Sequence, residues 1–159
     1  MSSSLQLDSW ARQNRVRGWL GVFASDTLPN HVPQTPWSLV VNYQRHTQPG
    51  DHWVAAMGSH NRAFWFSSFG LQPDEADAIL GDKTQFRKWL RRIAPLGWRY
   101  NTIQLQSLQG DECGRYAVYA CKYRGGPMEA SASYPWVSGD LERNDSMVKR
   151  LVQLPTARK

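Results

Sequence analysis

The chain is poor in cysteine, with two in 159 residues. Without a C-x-x-C pair a structural zinc site is not expected. Cys113 and Cys121 lie eight apart in one helix-forming stretch, a spacing that no intrahelical disulfide can span. A reduced, intracellular protein is therefore expected. Long apolar runs are missing as well, and none approaches the length of a membrane span. Met1-Ser2-Ser3-Ser4 lacks the basic-then-apolar pattern of a secretory signal. There is no internal repeat, low-complexity tract or second compositional block. One domain over residues 1–159 is expected, long enough to bury a core.

Acidic residues are the minority charge: 13 Asp and Glu face 19 Lys and Arg, for a net charge of +6 and a pI near 9.6. The excess clusters in Arg87-Lys88-Trp89-Leu90-Arg91-Arg92. It recurs at Arg12-Arg15-Arg17, Lys122-Arg124, Lys149-Arg150 and Arg158-Lys159. Such clusters bind polyanions without sequence preference and with strong salt dependence. Arg87, Lys88, Arg91 and Arg92 are the candidate DNA-contact residues. The alternative is a solvated helix face. Eight tryptophans are many for this length, and they suit a core or a groove wall better than a base-stacking platform.

Leu5 to Arg17 reads as a short amphipathic helix behind Ser4, ended by Gly18. Leu20 to Phe23 reads as a strand, and the proline-punctuated stretch from Asp26 to Pro36 as a loop. Trp37 to Tyr43 is a buried-strand run, Gln48-Pro49-Gly50-Asp51 is turn chemistry, and His52 to Met57 is the next strand. Gly58 to Arg62 turns into a third strand, Ala63 to Phe66. These three strands predict an antiparallel meander. Pro73-Asp74-Glu75 opens a helical stretch, and Thr84 to Ile93 continues as a basic amphipathic helix. Trp98 to Gln106 reads as a strand and Cys113 to about Cys121 as a helix, broken by Gly125-Gly126-Pro127. Asn144 or Asp145 is positioned to cap a last helix through Val152. Strands flanked by helices give an α+β domain.

The chemistry concentrates at Cys113-Gly114-Arg115-Tyr116. A thiol opening a helix feels the positive end of the helix dipole, which favours the thiolate nucleophile. The candidate bases are His31, His46, His52 and His60. His52 is favoured because it begins a strand directly after a Pro-Gly turn. Gln104, Gln106 and Gln109 are each available to donate, with the Cys113 backbone N–H, to a tetrahedral oxyanion. A buried structural cysteine and a surface histidine would be the inert alternative.

Gly50-Asp51-His52-Trp53-Val54-Ala55, Trp65-Phe66-Ser67-Ser68-Phe69-Gly70 and Gln106-Ser107-Leu108-Gln109-Gly110-Asp111-Glu112-Cys113-Gly114-Arg115-Tyr116 together resemble the adenovirus endopeptidase (adenain) family of cysteine proteases. The wider ubiquitin-like-protein protease group shares its fold. Gly21-Val22-Phe23 with Asp26 and Leu28-Pro29, Leu39-Val40-Val41-Asn42, and Asn144-Asp145 with Val148 extend the likeness to about residues 20–152. The resemblance implies a papain-like or adenain-like fold, a strand meander against helices with the nucleophile at a helix N-terminus. It implies His52 as general base, Cys113 as nucleophile, Gln106 as oxyanion donor and Trp53 as a wall of the site. Where the family usually has Asp, Glu or Asn to orient the histidine, this chain has Ser67, a hydroxyl that cannot stabilise imidazolium as a carboxylate does. Asn42 on the preceding strand is the other candidate for that role. Asp51 neighbours His52 but points to the opposite strand face.

The implied activity is cleavage of structural precursor proteins after small residues such as Gly, as in virion maturation. It needs no metal or organic cofactor, with DNA or a peptide as possible activators. The implied setting is the host nucleus or the virion, and the implied state a monomer off the membrane. Cys121 is expected to be a buried helix cysteine. A deconjugating protease for ubiquitin-like proteins uses the same site. A weakened protease relative that binds nucleic acid or capsid is the non-enzymatic alternative, favoured by Ser67 and disfavoured by the retention of His52, Gln106 and Cys113.

Overall fold

The computed structural model describes residues 2–47, 52–81, 83–123 and 139–156. The Gln48-Pro49-Gly50-Asp51 turn, the Gly125-Gly126-Pro127 breaker, Arg124 and Arg158-Lys159 lie outside the described residues.

Helix α1 (Ser4–Gln13) begins one residue earlier than Leu5 and ends four before Arg17. Its cap is Ser3 rather than Ser4. Ser3 Oγ accepts from the Gln6 N–H and Gln6 Oε1 accepts from the Ser3 N–H, a reciprocal Ser-x-x-Gln box that satisfies two otherwise orphaned donors.

Five strands follow, β1 (Trp19–Phe23), β2 (Trp37–Asn42), β3 (Trp53–Ser59), β4 (Arg62–Phe66) and β5 (Gly97–Tyr100), paired in sequence order. β2, β3 and β4 form the expected antiparallel meander. His60 and Asn61 take φ of 51° and 64° in the β3–β4 turn, the handedness that two-residue hairpin turns require. The whole sheet, however, is mixed, because β1 runs parallel to β2 and β5 parallel to β4. Both parallel pairs follow from long connections. The proline-rich stretch 24–36 returns the chain from β1 to the same end of the sheet, and residues 67–96 do so from β4.

The expected 98–106 strand is only Gly97–Tyr100. Beyond it, the Asn101 side chain replaces the backbone ladder. Its Nδ2 donates to Ser67 O at 2.7 Å and its Oδ1 accepts from Ser67 N at 2.9 Å, and the chain then leaves the sheet. Pro73-Asp74-Glu75 does not open a helix. Asp74 adopts φ 67°, and its carboxylate accepts from the Phe86 and Arg87 N–H groups, capping α3 (Phe86–Ile93) from a distance. Only Asp77–Leu80 remains helical there, as α2.

Helices cover both faces of the sheet. α1, α4 (Cys113–Lys122) and α5 (Leu141–Leu151) enclose one apolar cluster with Val40, Ala55, Met57, Phe64 and Phe66. α3 encloses the other through Phe86, Trp89, Leu90 and Ile93, against Leu39, Val41, Val54, Ala56 and Trp65. A strand buried on both faces must be apolar at successive positions, which is why Trp37 to Asn42 reads as a run rather than an alternation. No helix among the described residues is long and apolar enough to cross a membrane.

Candidate active site

Cys113 is the first residue of α4 and is 3 % exposed. Its Sγ accepts from the Trp53 N–H at 3.4 Å, so the peptide link between His52 and Trp53 lies against the thiol. The helix-start position favours a thiolate, but burial outweighs it and pushes the thiol up to about 11. The N–H groups of Trp53, Gly114 and Cys113 itself offset only part of that. The positive end of the helix dipole thus acts on a thiol held almost free of water. Cys121 is also free and buried, its Sγ turned to Leu39 O at 3.5 Å.

His52 directly precedes β3 and is 4 % exposed. It is the one candidate base near the thiol. His31 and His60 are exposed, and His46 is paired on the surface with Asp26. Cross-strand register decides its neighbours. Asn42 pairs with Trp53, so Asn42 lies on the Trp53 face and its Oδ1 accepts from the Gln44 N–H. The next residue, Tyr43, donates its N–H to His52 O and lies beside His52. The Tyr43 ring stacks on the imidazole with centroids 5.0 Å apart and planes 14° apart, and Phe69 packs on it at 4.9 Å and 31°. Nε2 is buried without a hydrogen-bond partner among the described residues. No hydrogen bond joins the imidazole to Cys113 Sγ or to the Ser67 hydroxyl there either. Burial alone lowers His52 to about 4.

Gln106 is 1 % exposed and its amide is fixed at both ends. Ser68 Oγ donates to Oε1 at 2.5 Å, and Nε2 donates to Gly110 O at 2.8 Å. A hydroxyl donor on the oxygen orients the amide, so that the second Nε2 hydrogen is left for another acceptor. Gln104 instead donates to Gln106 O, and Gln109 is exposed. Ser67 is fully buried. Its backbone is bound by Asn101, and its Oγ accepts from the Phe69 N–H at 3.3 Å.

Three residues of the family-like segments, given no role in the sequence, are supports of the site. Ser68 fixes the Gln106 amide. Asp145 and Asn144, inside α5 rather than at its start, brace the segment around Gln106. Asp145 accepts from Ser107 Oγ at 2.7 Å and Tyr116 Oη at 2.8 Å, and Asn144 Nδ2 donates to Leu105 O at 3.2 Å. The helix cap is Asp140, which accepts from the Arg143 N–H. The Asn144-Asp145 pair followed by Val148 was the available signal. Glu112, beside Cys113, is buried and compensated by Arg115 at 2.8 Å and Lys149 at 3.5 Å.

Trp53 is buried and its Nε1 donates to Ser2 O at 3.1 Å. A cavity of about 540 Å³ opens beside it, lined by Ser2, Val22, Phe23, Asn42 and Gln44. In the basic helix, Lys88, Arg91 and Arg92 are exposed, whereas Arg87 is half-buried. Arg87 binds Gln72 and Pro73 O and lies 5.8 Å over the Trp98 ring. Among the described residues no group of three or more His, Cys, Asp or Glu could hold a metal ion.

No family model and no curated protein matches this chain. Among solved structures it is similar to the crystal structure of ASFV pS273R protease, with 14 % identity and a TM-score of 0.58 over 96 % of this chain and 67 % of that one. A selenomethionine form of the ASFV pS273R protease gives 15 % identity and a TM-score of 0.57 over 99 % and 69 %. At these identities the shared property is the fold alone.

Proposed function

We propose that this chain is a cysteine endopeptidase with Cys113 as nucleophile, His52 as general base and Gln106 as oxyanion donor. One observation carries the reading. A thiol at a helix start touches the backbone beside a buried histidine, while a buried glutamine amide is held by Ser68 and Gly110 with one N–H to spare. Such a constellation is acyl-transfer machinery.

His52 takes the thiol proton as Sγ bonds to the substrate carbonyl carbon. The carbonyl π pair moves to oxygen, where Gln106 Nε2 and the Cys113 N–H hold it. The proton passes to the leaving amine as the C–N bond breaks, and water hydrolyses the thioester. The imidazole and thiol are not hydrogen-bonded at rest, and such contacts commonly tighten only when substrate binds. Trp53 walls the site. Ser67, at the place of the family's usual acid, accepts from the Phe69 N–H, and the Phe69 ring packs on the histidine.

The fold likeness supports membership of the ubiquitin-like-protein protease fold group, and the motif order favours an adenain-like, viral-type enzyme within it. The substrates are then structural precursors cut after small residues such as Gly. The exposed row Lys88, Arg91 and Arg92 supports a nonspecific DNA contact as partner or activator, with Arg87 bracing the row. Cleavage of a peptide library by the purified chain tests the reading. Cys113→Ala and His52→Ala are expected to abolish turnover with the fold intact, and Cys121→Ser to keep most of it. A dead Cys121→Ser beside an active Cys113→Ala overturns the assignment.

A further inference from the structure

We infer that Tyr43 and Phe69 are positioning residues for His52: their rings stack on the imidazole and take over the orienting role that a carboxylate has in related sites. The inference rests on the protease reading above, but its chief readout does not require turnover.

Three observations carry it. First, among the described residues the His52 ring makes no hydrogen bond, so hydrogen bonding does not fix its plane. What touches it is aromatic, Tyr43 at 5.0 Å and nearly coplanar and Phe69 at 4.9 Å. Second, both rings are anchored independently of the histidine. Tyr43 packs edge-on against Phe86 at 5.1 Å, and Phe86 against Trp65 at 4.7 Å, so the stack continues into the core under α3. Phe69 sits on a turn closed by Ser67, whose carbonyl accepts from the Gly70 N–H at 2.9 Å and whose hydroxyl accepts from the Phe69 N–H. Ser67, at the position of the usual acid, thus acts through Phe69. Third, the Tyr43 hydroxyl is buried with no hydrogen-bond partner among the described residues. It is the ring, not the phenol, that is used at this position.

The chemistry of such a support differs from that of a carboxylate. Stacked rings fix the imidazole plane and exclude water, which disfavours imidazolium. A carboxylate fixes one tautomer and stabilises the cation. His52 therefore waits as a neutral base. The titratable groups around it are the Cys113 thiol on the α4 side, Tyr43 from the end of β2 and, behind Tyr43, the Asp74, Glu75 and Asp77 carboxylates, whose charge acts on the Tyr43 hydroxyl. None of them is hydrogen-bonded to the imidazole.

The test is a set of four variants of the full chain: Tyr43→Phe, Tyr43→Leu, Phe69→Leu and Phe69→Tyr. The His52 ring is titrated by NMR without substrate, and kcat and KM are measured separately. Tyr43→Phe and Phe69→Tyr keep a ring and are expected to leave the titration and kcat within about twofold. Tyr43→Leu and Phe69→Leu open the stack. They should move the His52 midpoint up from about 4 by a unit or more toward 6.5, and lower kcat about tenfold or more with KM within about threefold. Folded Leu variants whose His52 titration and kcat match the parent overturn the inference, as does a Tyr43→Phe variant as impaired as Tyr43→Leu. If no peptide is cleaved by any form, the protease reading fails, while the NMR titration still decides whether the rings control the imidazole.

Discussion

The pH dependence of Cys113 alkylation follows directly from the burial of the site. An ordinary thiol at 9.0 is about 1 % ionised at pH 7, whereas one pushed up to about 11 is about 0.01 % ionised, a hundredfold difference. With His52 lowered to about 4, the imidazole is neutral at pH 7 and no ion pair precharges the sulfur. Iodoacetamide reacts with the thiolate, so the Cys113 rate should climb about tenfold per pH unit from 7 to 10 with no plateau. The slope is the measured quantity, because restricted access lowers the absolute rate without changing the slope. His52→Ala should leave this resting alkylation within about threefold while abolishing turnover, since no hydrogen bond links the imidazole to Sγ at rest. Ser67→Asp supplies the opposite perturbation. Where the new carboxylate ionises despite the burial of this position, it should raise the His52 midpoint and speed alkylation at pH 7 by about tenfold for each unit by which the thiol is lowered. Mass spectrometry of tryptic peptides separates Cys113 from Cys121. A plateau below pH 8, or collapse of labelling in His52→Ala, would show a preformed thiolate–imidazolium pair and refute the reasoning.

Gln106→Ala is expected to lower kcat by about a hundredfold or more with little change in KM, and exposed Gln109→Ala to do far less; steady-state kinetics of both variants decide. Gly70→Ala should cost at least about 2 kcal/mol, a drop of roughly 4–8 °C in Tm by calorimetry. Gly70 sits at φ 72°, and an added Cβ would lie 2.7 Å from Ile103 C and 2.9 Å from Gln104 N, in the segment leading to Gln106. DNA should bind weakly and without sequence preference, with affinity falling steeply between low and physiological salt in a polarisation assay. Charge reversal at Lys88, Arg91 and Arg92 should reduce binding without affecting hydrolysis of a short peptide, and binding that ignores salt removes the contact.

Some of this protein is written in local chemistry. The meander was legible because β2 is one apolar run and because the Gly58 to Arg62 turn separates two further short apolar runs. α4 was legible because its apolar stretch is long enough to be a helix, so the placement of Cys113 at its start followed from sequence. Residue types and placement singled out His52 and Cys113, and the family resemblance chose Gln106 over Gln104 and Gln109.

What the sequence left open depended on contacts between distant segments. Parallel pairing of β1 and β5 is set by where long connections re-enter the sheet, and no local pattern records that. Asp74 and Asn144-Asp145 look like helix starts in sequence. In three dimensions the Asp74 carboxylate caps a different helix, and Asn144 and Asp145 brace the irregular segment around Gln106. Above all, charge state was decided by burial. A helix start predicts a lowered thiol pKa, and only the packed structure shows Cys113 and His52 shut away from water, where the desolvation of a charge outweighs the helix dipole and both groups rest neutral.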